Sequence, residues 1–186
     1  MCSFCQDKVY KRKEQVSFRW ADHQVPHFYI FKWDEKSDLF CRSLAYFLKQ
    51  KPTRFFNEWA RLFSVKMKNN YSLALVPQSS SPKSLNHAVS LGQVFLKLDY
   101  ISSVYEVDVR GGSEVPQKQK DKENRLKSEK RDFGALKYRK NWIFVDDVFV
   151  TGGTFKAVSE SMFTKPRAVF TLFYKPKLKN KGFYDA

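Results

Sequence analysis

The chain has 186 residues, with 34 Lys and Arg against 19 Asp and Glu, a formal net charge of +15; 42% of its residues are hydrophobic and 17% aromatic. That much apolar material excludes a chain disordered throughout, and a domain of this size can bury roughly 70% of its unfolded surface around one core. No run approaches the ~20 consecutive apolar residues of a membrane span, residues 1–19 lack an apolar signal segment, and three cysteines make no disulfide framework, so a reducing cytoplasm is the expected compartment.

The positive charge comes in blocks. Lys8, Lys11, Arg12, Lys13 and Arg19 face one acid, Glu14; residues 110–131 hold eight basic side chains against four acids; Lys165 to Lys181 holds six and no acid. Such blocks serve as solvated surface or attract polyanions, whether phosphorylated small molecules or nucleic acid.

In chain order, residues 1–24 read as a polar N-terminal extension and residues 25–186 as one domain. His27 to Trp33 reads as a strand. Asp38 to Lys49 places Leu39, Phe40, Leu44, Phe47 and Leu48 on one helical stripe, and Pro52 opens a second helix with Phe55, Phe56, Trp59, Leu62 and Phe63 on its apolar face. Tyr71 to Val76 is a near-continuous apolar run that suits a strand buried on both faces and ends at Pro77. A polar turn, Gln78 to Lys83, leads to a helix carrying Leu85, Ala88, Val89, Phe95 and Leu96. Ile101 to Val109 alternates like a strand. Residues 110–132 are too long and too charged for an ordinary connection, so they form a functional flap or a disordered segment. Trp142 to Val145 is another buried-strand run, Phe155, Val158, Met162 and Phe163 fit a helix, and Ala168 to Tyr174 is a last apolar strand. Strands alternating with helices predict an α/β fold with a mainly parallel central sheet flanked by helices.

The chemistry concentrates in Trp142 to Thr154. Four apolar residues run into Asp146 and Asp147, and then Thr151-Gly152-Gly153-Thr154 precedes a helix. In an open parallel sheet, ligands bind beyond the carboxyl ends of strands, where the acids are expected. The Thr151–Thr154 turn would aim backbone N–H groups and hydroxyls at one spot beside a helix N-terminus, which favours an anion, and the glycines allow close approach. An anion cradle beside paired carboxylates suits a phosphorylated sugar, with a divalent cation nearby. Neither G-x-x-x-x-G-K-[ST] nor G-x-G-x-x-G is present. His87, near the turn that follows Pro77, reads as a surface residue.

Val145 to Thr154 resembles the phosphoribosyl pyrophosphate (PRPP) signature of type I phosphoribosyltransferases, with Phe149 where an aliphatic residue is usual. The chain as a whole resembles the ComF family of competence-associated phosphoribosyltransferase-like proteins. Val76-Pro77 followed by Leu85-Asn86-His87-Ala88 is similar to that family's strand end and helix start, although Ser84 and Leu85 stand where arginines and a glycine are usual. Arg110, Gln117, Arg125 and Phe133 are similar to its spaced Arg, Gln, Arg and Phe. The resemblance implies a type I phosphoribosyltransferase-like fold with an N-terminal hood, and a Mg²⁺-dependent glycosyltransferase acting on PRPP and an unidentified acceptor, linked to DNA uptake. Asp146 and Asp147 would bind the ribose hydroxyls, with Mg²⁺ held through those hydroxyls and the pyrophosphate. Val150, Thr151, Gly152, Gly153 and Thr154 would hold the 5′-phosphate; Pro77, Gln78 and Ser79 would form the pyrophosphate loop; Arg110, in the flap 110–132, would contact pyrophosphate. Single-stranded DNA is the alternative partner, with the fold as scaffold or PRPP sensor. Cys2-x-x-Cys5 resembles the first half of the family's zinc element, but the second cysteine pair is absent. His23-x-x-x-His27 has finger-like spacing, yet 17 residues separate Cys5 from His23, so the expectation is a degenerate terminus rather than a zinc centre.

Overall fold

The computed structural model describes residues 15–20, 23–34, 38–50, 60–61, 71–78, 86–109 and 133–175. They form β1 (Gln15–Trp20), β2 (His23–Lys32), α1 (Asp38–Gln50), β3 (Leu73–Pro77), α2 (His87–Lys97), β4 (Val104–Val107), a short 3-10 helix (Gly134–Tyr138), β5 (Trp142–Phe149), α3 (Gly153–Ser161) and β6 (Ala168–Tyr174). One sheet has the order β1-β2-β6-β5-β3-β4. The five strands from β2 to β4 are mutually parallel, and β1 is an antiparallel edge paired with β2 from Gln15↔Phe28 to Trp20↔His23.

Composition explains the layering. β3 and β6 are buried along their whole length, as are the first four residues of β5, because helices cover both faces of a parallel sheet. On one face Ala74, Val76, Ile143, Val145 and Phe170 pack with Cys41 of α1 and Ala88, Leu91 and Phe95 of α2. On the other, Leu73, Leu75, Trp142, Phe144 and Val169 pack with Phe155 and Val158 of α3. The expected α/β fold with a parallel sheet is present.

Several expected boundaries shift. β2 begins at His23 and pairs with β1, so the hairpin straddles the boundary drawn at residue 24. Leu39 leaves the stripe of α1 and is 80% exposed. β4 keeps only four residues of the expected run. Phe163 lies beyond α3 and faces solvent. Of the second helical pattern only residues 60–61, both helical, are described, and residues 110–132 lie outside the described set. Among the described residues no helix is long and apolar enough to cross a membrane.

Candidate functional site

From β3 the chain passes to β4 on one side, then returns to β5 on the other side of β3. Ligands in open α/β sheets bind where strand order reverses in this way, outside the carboxyl ends. The hydrogen-bonded registers show a gap opening there. The β3–β5 ladder stops at Leu75↔Phe144, while β3 stays paired with β4 to Pro77↔Val107 and β5 stays paired with β6 to Phe149↔Tyr174. Past Phe144 the two central strands part, and Asp146 and Asp147 lie on the freed stretch of β5.

The strand does not end at the acids, as the sequence suggested; it runs on to Phe149. Its pleat, however, slips phase across them. Val145 packs into the first cluster and Val148, three residues on, packs against the same cluster, while Phe149 joins the second. Strict alternation would put Val148 and Phe149 on the opposite faces. Neighbours slip at the same level: Leu172 and Phe173 of β6, and Ile30 and Phe31 of β2, are adjacent yet lie in one cluster. The acids therefore occupy the step where the pleat resets.

Their electrostatics are asymmetric. Burial and the charge of Asp147 raise Asp146 well above the usual carboxylate range. Burial pushes Asp147 up as well, but the hydrogen bond and charge of His87, a carboxyl–carboxyl hydrogen bond with Asp146 and the Val148 N–H outweigh it, so Asp147 titrates below its usual value. His87 Nδ1 lies 3.3 Å from Asp147 Oδ2, and the Asp147 N–H donates to Asp146 Oδ1 over 2.8 Å. The Asp147 side chain keeps 37% of its surface accessible, against 5% for His87. The two acids are thus unlike, Asp146 the harder to ionise and Asp147 the easier, and the pair is open to solvent on one side.

α2 is aimed at the crevice by its cap. Asn86 Oδ1 accepts from the N–H groups of Ala88 and Val89 at 3.1 and 3.4 Å, and its Nδ2 donates to the Pro77 carbonyl over 2.8 Å. One side chain thus ties the start of α2 to the end of β3 and sets His87, the next residue, against Asp147.

The second candidate element is the turn into α3. Val150, Thr151, Gly153 and Thr154 are half-buried around Gly152, which sits at the N-cap with φ of 70°. A Cβ there would come within 2.9 Å of Phe149 Cζ, so the position requires glycine both for its backbone and for its space. No side-chain hydrogen bond caps α3, and an uncapped helix start is a setting that favours an anion.

The remaining predicted residues divide. Pro77 is not in a loop: it is the buried last residue of β3, and its carbonyl is held by Asn86. Gln78 is exposed, and its N–H extends the ladder to the Val107 carbonyl over 3.0 Å. Ser79, Arg110, Cys2 and Cys5 lie outside the described residues. His27 is fully buried in β2, shares a 2.8 Å hydrogen bond with Thr171 and is ringed by Tyr29, Phe149 and Tyr174. His87, expected at the surface, is a buried member of the site. Its signal was an Asn immediately before an apolar helical pattern, which marks an N-cap and places the next residue at the helix mouth. Among the described residues no group of three or more His, Cys, Asp and Glu side chains converges to hold a metal. No protein-family model matches the chain, and no curated protein does.

Proposed function

We propose that the chain binds PRPP and transfers its phosphoribose to an acceptor, as a type I phosphoribosyltransferase-like protein of the ComF kind. The observation that carries this reading is the presence, at one switch-point end of one sheet, of an acid pair and an uncapped Gly-Thr helix start. Asp147, ionised, accepts from one ribose hydroxyl. Asp146, the harder of the two to ionise, holds the other. The N–H groups of Gly153 and Thr154 take the 5′-phosphate at the start of α3.

The donor set fits Mg²⁺. Two carboxyl groups make no closed cage, but they suit an ion that arrives on substrate oxygens and keeps several waters. When bound, Mg²⁺ neutralises the departing pyrophosphate. The bond from ribose C1 to pyrophosphate breaks, and an acceptor lone pair forms the new bond. The acids hold the ring in place as positive charge builds on it, and Asp147 stabilises that charge from within the crevice.

Calorimetric titration of PRPP with Mg²⁺ against wild type and the Asp146→Ala/Asp147→Ala variant tests the proposal. Saturable binding that the variant loses supports it, and no binding by wild type overturns it. In a thermal-shift assay, PRPP at ~100 times its Kd adds about 2.7 kcal/mol.

A further inference from the structure

A second surface lies at the opposite end of the sheet. The 3-10 helix and the residues after it, 134–141, lead into the amino end of β5, and residues 162–167 lead into the amino end of β6. Hydrogen bonds zip the two segments together: Phe163 N–H to the Lys137 carbonyl over 2.9 Å, Arg167 N–H to the Trp142 carbonyl over 2.8 Å, Trp142 Nε1–H to the Thr164 carbonyl over 3.0 Å, and the Thr164 hydroxyl to the Arg139 carbonyl. This frame presents two aromatic rings side by side. Tyr138 and Phe163 have centroids 5.1 Å apart at 53°, and they are 62% and 69% exposed. Lys137 Nζ stands 5.5 Å from both centroids. Arg139, Lys140, Lys165 and Arg167 are exposed on the same two segments, which contain no acid from Gly134 to Val145 or from Ser161 to Tyr174.

Exposed rings have a cost in water, and two adjacent ones held by a hydrogen-bonded frame form a built surface rather than chance exposure. Tyr138 and Phe163 add nothing to either buried cluster of the sheet. Their ring faces suit flat apolar partners, and the surrounding cations suit anions at close spacing. A nucleic-acid strand with unpaired bases supplies both, bases for the rings and phosphates for the cations. A bilayer suits the patch less well, because interfacial binding relies on a broad apolar face and here only two rings project among five cations.

We propose that Tyr138 and Phe163, with Lys137, Arg139, Lys140, Lys165 and Arg167, form a stacking platform for single-stranded nucleic acid. It lies on the far side of the sheet from the acid pair. Trp142 and Asp146, four residues apart on β5, are separated by about 13 Å along the strand. The platform does not depend on the sugar-phosphate reading, and either can fail alone.

Fluorescence anisotropy with a short oligo(dT), wild type against Tyr138→Ala/Phe163→Ala and against Lys165→Gln/Arg167→Gln, tests the proposal. Melting temperature checks the fold of each variant, and PRPP titration with Mg²⁺ runs in parallel. The expected result is binding whose affinity falls with salt at a log–log slope of about −3, as four or five neutralised phosphates on a single strand require. The ring variant loses tenfold or more, because each stacked base contributes about tenfold. The charge variant weakens binding and flattens the slope by about 1.4. Both variants melt like wild type and keep wild-type behaviour toward PRPP. The proposal is overturned by absence of oligo(dT) binding at about 50 mM salt, by binding that neither variant changes, by equal affinity for duplex, or by binding to vesicles of anionic lipid but not to oligo(dT).

Discussion

The His87 imidazole reaches Asp147 across 60 positions of sequence, with Nδ1 at 3.3 Å from Oδ2. An ionised carboxylate only accepts, so Nδ1 carries the proton it donates. The contact divides two adjacent acids into unlike partners. Without it, burial would oppose the ionisation of both carboxyls, and Asp147 would keep only its hydrogen bonds with Asp146 and the Val148 N–H to favour its charge.

That division gives the two acids opposite linkage to pH. Asp146 has a raised folded pKa, so its contribution to stability declines as pH climbs from the ordinary carboxylate value toward the folded one. Asp147 has a depressed folded pKa, so its contribution is present above the unfolded value and is lost as pH falls through the folded one. Asp146→Asn removes the carboxyl whose ionisation burial and the charge of Asp147 oppose. At neutral pH its melting temperature equals or exceeds that of wild type. Asp147→Asn removes the partner of His87 and melts lower. Melting curves from about pH 4 to about pH 8 for both variants check this; a neutral-pH loss larger for Asp146→Asn than for Asp147→Asn would show the proton on the other acid.

His27 gives the chain an acid-sensitive core. Burial lowers its pKa from 6.5 to about 3. The unfolded chain therefore binds the proton more readily than the folded one between those values, and stability falls as pH drops from 6.5 toward 3. The full loss is of order 5 kcal/mol. His27→Gln keeps a hydrogen-bonding group near Thr171 but does not titrate, so urea midpoints of the variant should vary less with pH across that window. A wild-type and variant pH dependence that superimpose would exclude His27 as the source.

These two histidines mark the limit of what the sequence carried. β3, β6 and the first half of β5 were legible because strands buried on both faces are near-continuous apolar runs, and α1 and α2 because their stripes follow helical spacing. The acid pair and the Gly-Thr bend were legible as a local motif. β1 was overlooked although Val16, Phe18 and Trp20 alternate, because it follows a dense run of cations that read as a solvated extension. The continuation of β5 through the acids depends on β6 remaining paired to Tyr174, a tertiary fact. The proximity of His87 to Asp147 depends on the switch-point topology, and the Tyr138–Phe163 pair joins two segments that only their hydrogen bonds bring together. Periodicity says nothing of any of these.

Asn86 does two jobs that substitution can separate. Asn86→Asp keeps an oxygen for the Ala88 and Val89 N–H groups but loses the donor to the Pro77 carbonyl, and it adds a negative charge near Asp147. Asn86→Ala loses both. The alanine variant should cost about 2 kcal/mol, about 1 for the cap and about 1 for the tie to β3, and the aspartate variant about half of that. Denaturant unfolding of the pair gives the comparison. Equal losses would mean that the cap contributes nothing and the tie to β3 carries the whole effect.

Gly152 offers a test that separates backbone strain from steric conflict. Its φ of 70° disfavours any side chain, and a Cβ would stand 2.9 Å from Phe149 Cζ. Gly152→Ala therefore carries about 1–2 kcal/mol for the left-handed backbone and a further cost for displacing the ring. In a Phe149→Leu background the ring is gone, so the same substitution retains only the backbone part. A double-mutant cycle of unfolding free energies should then show a favourable coupling of about 1 kcal/mol or more between the two sites. Because the N–H groups after Gly152 form the anion seat of the proposed function, Gly152→Ala should also weaken PRPP binding in both backgrounds, since it alters the approach of α3 whether or not the ring is present. Zero coupling would show that the ring moves aside without cost, and unchanged PRPP affinity would place the phosphate elsewhere.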